Sequence, residues 1–145
     1  MKQWHVKRLL SIGFLLTLAA NTFAVISPRQ DDLKLSDAYK VLALRRAELK
    51  SELRFLKLTL TGHHPDLLQK EDQFNSVTAE MTRLERSGKP FQKLNASYGQ
   101  LLLNKAAIAA ELKTLRRSLK SSHPLVIAKE TEWLVLDSEA ERISK

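Results

Sequence analysis

The stretch Leu56-Lys57-Leu58-Thr59-Leu60-Thr61-Gly62-His63-His64-Pro65-Asp66-Leu67 decides the fold, because the chain carries it twice. It returns as Leu115-Arg116-Arg117-Ser118-Leu119-Lys120-Ser121-Ser122-His123-Pro124-Leu125-Val126, displaced by 59 residues. The same offset runs without a gap through 39–86 and 98–145. It carries Tyr39 onto Tyr98, Glu52 onto Glu111, Lys70-Glu71 onto Lys129-Glu130, Phe74 onto Trp133 and Glu80 onto Glu139. A repeat of this size sets the architecture before any local element is read.

Upstream of each His-Pro pair the apolar residues step by four and three. The first series is Leu35, Tyr39, Leu42, Arg46, Leu49, Leu53, Leu56, Leu60. The second is Leu94, Tyr98, Leu101, Lys105, Ile108, Leu112, Leu115, Leu119. A 3.5-residue period is the seam of a coiled-coil helix, whereas a strand needs a period of two. Ala, Leu, Lys, Arg and Glu fill both stretches, and all are good helix formers. Helices are therefore expected to open both repeats.

Proline has no amide hydrogen and clashes with the preceding turn, so Pro65 and Pro124 end those helices and suit the first position of the next. Gly62 is expected to close the first helix in a left-handed conformation, and His64 and His123 to cap the helices that follow. Those helices have seams of their own: Leu67, Lys70, Phe74, Val77, Met81, Leu84, and then Val126, Lys129, Trp133, Leu136, Ala140, Ile143. A short turn between two amphipathic helices makes an antiparallel hairpin. The expected fold is all-α: two tandem antiparallel, coiled-coil-like hairpins in an up-down-up-down four-helix arrangement. The repeats span 33–86 and 91–145, joined by a linker at 87–90 that contains Gly88 and Pro90. Residues 25–32 read as a polar entry segment.

Folding each repeat about its turn places Arg46 opposite Glu80 and Lys105 opposite Glu139. Each cation interrupts its own apolar seam. The expectation is a register-fixing ion pair inside each hairpin, as a polar seam residue often provides. The aromatic series Tyr39, Phe74, Tyr98, Trp133 lies on the seams and reads as core.

The first two dozen residues are of another kind. Lys2, Lys7 and Arg8 precede the apolar run Leu9–Ala20, and Thr22-Phe23-Ala24 sets small residues at a cleavage site. This is the layout of a secretory signal peptide over 1–24, which points to a periplasmic protein. A retained anchor is the competing reading, but Leu9–Ile26 is short for a span of about 20 residues and includes Gly13, Asn21 and Thr22. No stable membrane span is expected after cleavage. The chain has no cysteine, which excludes disulfides, thiolate metal sites and a lipoprotein anchor. The net charge is +8, of which the leader carries three. Basic segments (33–60, 91–120) alternate with acidic ones that follow each His-Pro, in step with the repeat.

No catalytic signature is present: no GxSxG, phosphate loop, dinucleotide fingerprint or HExxH. No cofactor is expected, and the chain reads as non-enzymatic. His63, His64 and His123 are the candidate metal ligands, since both turns fall at one end of an up-down bundle; capping is the favoured role. The basic runs lack interleaved aromatics, which argues against nucleic acid.

The pattern Leu56…Leu60…His64-Pro65-Asp66-Leu67, repeated as Leu115…Leu119…His123-Pro124-Leu125-Val126, resembles coiled-coil segments in the periplasmic arms of bacterial polysaccharide co-polymerases. The likeness covers about 20 residues of each repeat, without that family's flanking transmembrane helices, proline-rich segment or kinase domain. It implies a shared hairpin module and the cell envelope as its setting. The function expected from the sequence is that of an exported structural or adaptor module. It would meet an envelope protein or a second copy of itself, with a link to polysaccharide export. A small periplasmic chaperone and a metal-responsive protein using the His-Pro turns are the alternatives.

Overall fold

The structure is a computed structural model and describes residues 28–89, 93–143 and 145. The signal-peptide reading, the start of the entry segment, and Pro90 lie outside those residues. Among the described residues five helices follow one another: α1 Pro28–Leu35, α2 Asp37–Thr59, α3 Pro65–Ser87, α4 Ala96–Ser118 and α5 Pro124–Ile143. The fold is all-α, and no strand occurs among the described residues.

The repeat extends to the caps. Ser36 Oγ accepts from the Tyr39 amide at 3.2 Å, and its counterpart Asn95 accepts from the Tyr98 amide at 2.9 Å. His64 Nδ1 accepts from the Asp66 amide at 3.3 Å, and His123 Nδ1 accepts from the Leu125 amide at 3.2 Å. Each acceptor satisfies one of the orphan donors of a helix start. Pro65 and Pro124 open α3 and α5, where a missing amide costs nothing.

Three boundaries differ from the sequence reading. Residues from Pro28, inside the polar entry segment, are already helical, and the first long helix begins at Asp37, past Leu35 where the seam starts. Ser36 separates the two because its backbone is extended (φ −64°, ψ 144°) and its hydroxyl caps α2. Gly62 does not close α2. Leu60 does, in an extended conformation, with its amide on Leu56 O at 2.8 Å, and Leu119 repeats this on Leu115 O. A left-handed glycine does occur, one helix later: Gly88 caps α3 at φ 61°.

Helices α2, α3 and α4 enclose the main core, built from Leu42, Leu49, Val77, Met81, Leu84 and Leu102 among others. Burying each such side chain contributes about 1.5–3 kcal/mol. A second cluster, Ile108, Leu112 and Val126 with Trp133 and Leu136 against it, joins α4 to α5. The hairpins meet through α3 and α4, while α2 also packs on α4; α2 and α5 share no substantial contact. Helices α2, α3 and α4 pack on one another, and α5 is applied to α4, so the four long helices do not close into a ring. Gly99 is what lets α2 approach α4. A Cβ there would lie 2.8 Å from Ala38 Cα, and the Ala38 amide donates to Leu94 O at 3.0 Å.

Candidate functional site

The antiparallel register inside each hairpin is written in repeated ion pairs. Lys57–Glu71 (2.9 Å) recurs as Arg116–Glu130, and Glu52–Lys70 (2.5 Å) as Glu111–Lys129 (2.8 Å). All lie toward the His-Pro end and are partly exposed, so each adds little to stability.

The seam cations do something different from what the sequence suggests. Arg46 does not pair with Glu80, nor Lys105 with Glu139. Each cation lies over the seam aromatic of its own hairpin: Arg46 is 5.6 Å from the Phe74 ring centre, and Lys105 is 5.5 Å from that of Trp133. Glu80 instead crosses to the other hairpin. Its Oε1 meets Lys105 Nζ at 2.9 Å, and Asp137 Oδ1 meets the same nitrogen at 2.9 Å. The reason is the direction of the α3 face. Asp72, Ser76 and Glu80 recur every four residues and share one stripe, which α3 turns toward α4. Asp72 Oδ2 lies 2.6 Å from Arg117 Nη1 across the same junction, an ion pair whose angles fall short of a hydrogen bond. Glu139, on the corresponding stripe of α5, turns back to Arg142 on its own helix, at 2.5 Å.

Lys105 is fully buried, at 0% exposure, and so is an ion held by two carboxylates and an indole face. The network continues outward: Arg83 Nη1 donates to Asp137 Oδ1 at 2.6 Å and approaches Glu141 at 3.7 Å. Burial works to raise the Asp137 carboxyl, but hydrogen bonds and charge from Lys105 and Arg83 outweigh it and hold it below the ordinary aspartate value. The hydrogen bond to Asp137 in turn raises Arg83. Glu80 Oε2 is buried without a hydrogen-bond partner. Glu80, Arg83, Lys105 and Glu141 form part of the wall of an open groove of about 980 Å³, which Lys89, Tyr98 and Leu102 also line. Lys89 Nζ donates to Tyr98 Oη at 3.0 Å within it. Asp137, Arg83, Asp72 and Arg117 were not legible as site residues, because each gains its partner from another helix.

His64 and His123 both occupy turns with their Nδ1 atoms used as caps, and His63 is exposed. Among the described residues no three His, Asp or Glu side chains gather as a metal would require. No described helix is long and apolar enough to cross a membrane.

A second set of residues stands out by exposure. On α2, Leu44, Phe55 and Leu58 point away from the core; on α5, Leu125, Ile127, Leu134 and Val135 do so. Only Val126 and Ala140 of α5 are buried. Comparison with protein-family models, curated proteins and solved structures gives no match for this chain.

Proposed function

We propose that this protein is a non-enzymatic, exported helical adaptor of the cell envelope that works by presenting the outer faces of α2 and α5 to protein. Envelope polysaccharide export is the setting that the His-Pro resemblance suggests. The observation that carries the reading is the set of exposed large apolar side chains on α2 and α5, of which Leu58 is 87% exposed. Scattered apolar residues are ordinary on a surface, but patches on helix faces mark interaction sites. A rigid core held by Lys105 and capped at every long helix suits such a role, since it fixes the spacing of the two faces.

The reading is tested by photo-crosslinking in the exporting cell. Probes at Leu44, Phe55, Leu134 and Val135 should give discrete protein adducts, and probes at His63 or Gln69 should not. Equal labelling at all sites, or none at the apolar ones, would refute it. Cell fractionation and sequencing of the mature amino terminus test export, with a start at Val25 expected.

A further inference from the structure

The repeat makes a comparison between the two hairpins that exposes an unfinished interface. Where α3, α4 and the segment leading into α4 pack in the core, several positions are buried, while their counterparts 59 residues away lie open. Leu94 is 2% exposed, and Leu35 is 62% exposed. Ser76 is 4% exposed, and Val135 is 62% exposed. Asp72 and Ala106 are buried, and Thr131 and Ala47 are exposed. The open members of the first hairpin lie on or just before α2; those of the second lie on α5. Helix α5 thus carries the face that α3 uses to receive α4, and α2 carries the face that α4 offers to α3.

We propose that this protein docks on a second copy of itself head to tail, α5 of one copy receiving α2 of the next in place of α4. The inference rests on the adaptor reading and names its occupant. Two further features select that occupant. The first is charge. Helix α2 holds Lys40, Arg45, Arg46, Lys50, Arg54 and Lys57 against Asp37, Glu48 and Glu52. Helix α5 holds Glu130, Glu132, Asp137, Glu139 and Glu141 against Lys129 and Arg142. The faces are therefore complementary in sign, which favours encounter and sets orientation. The second is the pattern of pairs. Glu80–Lys105 of the internal junction becomes Glu139 with Arg46, again acid with base. The pair Asp72–Arg117 becomes Thr131 with Leu58, so the copy junction exchanges an ion pair for apolar contact.

One position limits the likeness. Lys40 stands where α4 has Gly99, so the close approach of α2 to α4 is not repeated. The incoming helix seats on α5 alone. A contact between two different faces does not close on itself by two-fold symmetry, and it propagates into rings or open chains.

The test is a charge-swap mixing experiment on the full chain recovered from its host, followed by light scattering and analytical ultracentrifugation. Glu139→Arg alone and Arg46→Glu alone should each weaken association at least about tenfold. Mixed one to one, they should associate as the wild type does, since every junction then again sets one acid against one base. Arg46 also rests on Phe74, so Leu58→Asp serves as a second block on α2 that touches no core residue; it should keep the wild-type helicity and lose association. A wild-type chain that stays single over the whole concentration range overturns the proposal. So does association broken by Glu139→Arg but indifferent to both α2 variants, which would mean two α5 helices meeting. If the chain is single while crosslinks at Leu134 and Val135 reach another protein, self-docking fails and the adaptor reading stands.

Discussion

Lys105 Nζ stands 2.9 Å from Glu80 Oε1 in the other hairpin, with neither side chain appreciably exposed. A buried ion pair need not exceed a well-packed apolar substitute in stability, but removing one partner leaves an uncompensated charge. Lys105→Ala should therefore cost about 3–5 kcal/mol in denaturant unfolding. The double variant Lys105→Met, Glu80→Met should recover much of that loss. A single variant with the stability of the wild type would contradict the network.

Double-mutant cycles separate this pairing from the one the heptads suggest. Lys105 with Glu80 should show coupling of at least about 1 kcal/mol, whereas Arg46 with Glu80 should be additive to within about 0.5 kcal/mol. Partial recovery of Arg46→Glu by Glu80→Arg would restore the within-hairpin pair and count against the observed geometry.

How much of this was legible in the sequence depends on how local the cause is. The helices, the His-Pro turns and the caps at His64 and His123 follow from backbone chemistry within a few residues, and the repeat states each twice. The register was also legible, because one turn fixes it; Lys57–Glu71 and Arg116–Glu130 are its outcome. What Glu80 faces was not, because that depends on how one hairpin leans on the other, which no seam encodes. The role of Gly99 is hidden for the same reason: it lies in Ala38, on another helix. The end of α2 at Leu60 rather than Gly62 is local, but the glycine is the stronger stop signal in the sequence, and it stands two residues past the extended Leu60. Helix α1 is not legible, because eight residues with two leucines carry little periodicity.

Gly99→Ala tests the α2–α4 crossing. Alanine has the higher helix propensity by about 1 kcal/mol, so on an exposed helix the change would stabilise. Here the added carbon meets Ala38 Cα at 2.8 Å and Ala38 O at 3.1 Å, backbone atoms that cannot turn aside. Destabilisation by about 1–3 kcal/mol is expected, read as a lower midpoint in thermal or urea unfolding.

The turn histidines can be examined by exchange for other caps. His64→Ala and His123→Ala should each cost about 0.5–2 kcal/mol, and His64→Asp should restore the loss, since its carboxylate accepts from the same amide. Rescue by aspartate would be hard to reconcile with a role that needs the imidazole ring.

Acid should weaken the protein through Asp137. Its folded pKa is depressed, so its contribution is complete above the unfolded value of about 3.9 and disappears as pH falls through the lower folded value. The groups facing it are Lys105 and Arg83. Urea unfolding across this range should show a loss of stability in the wild type that is shallower in Asp137→Asn.

The junction cation has a consequence for how the molecule comes apart. Repeats usually unfold piece by piece, because each unit contacts only its neighbour through replaceable surface. Here the second hairpin shelters a lysine, and one of that lysine's two counter-ions belongs to the first. Opening the second half leaves Glu80 without its cation, and opening the first takes from Lys105 one of its two carboxylates, so the two halves should melt as one cooperative body, and a cut between Gly88 and Asn95 should yield halves that hold their shape only in each other's company.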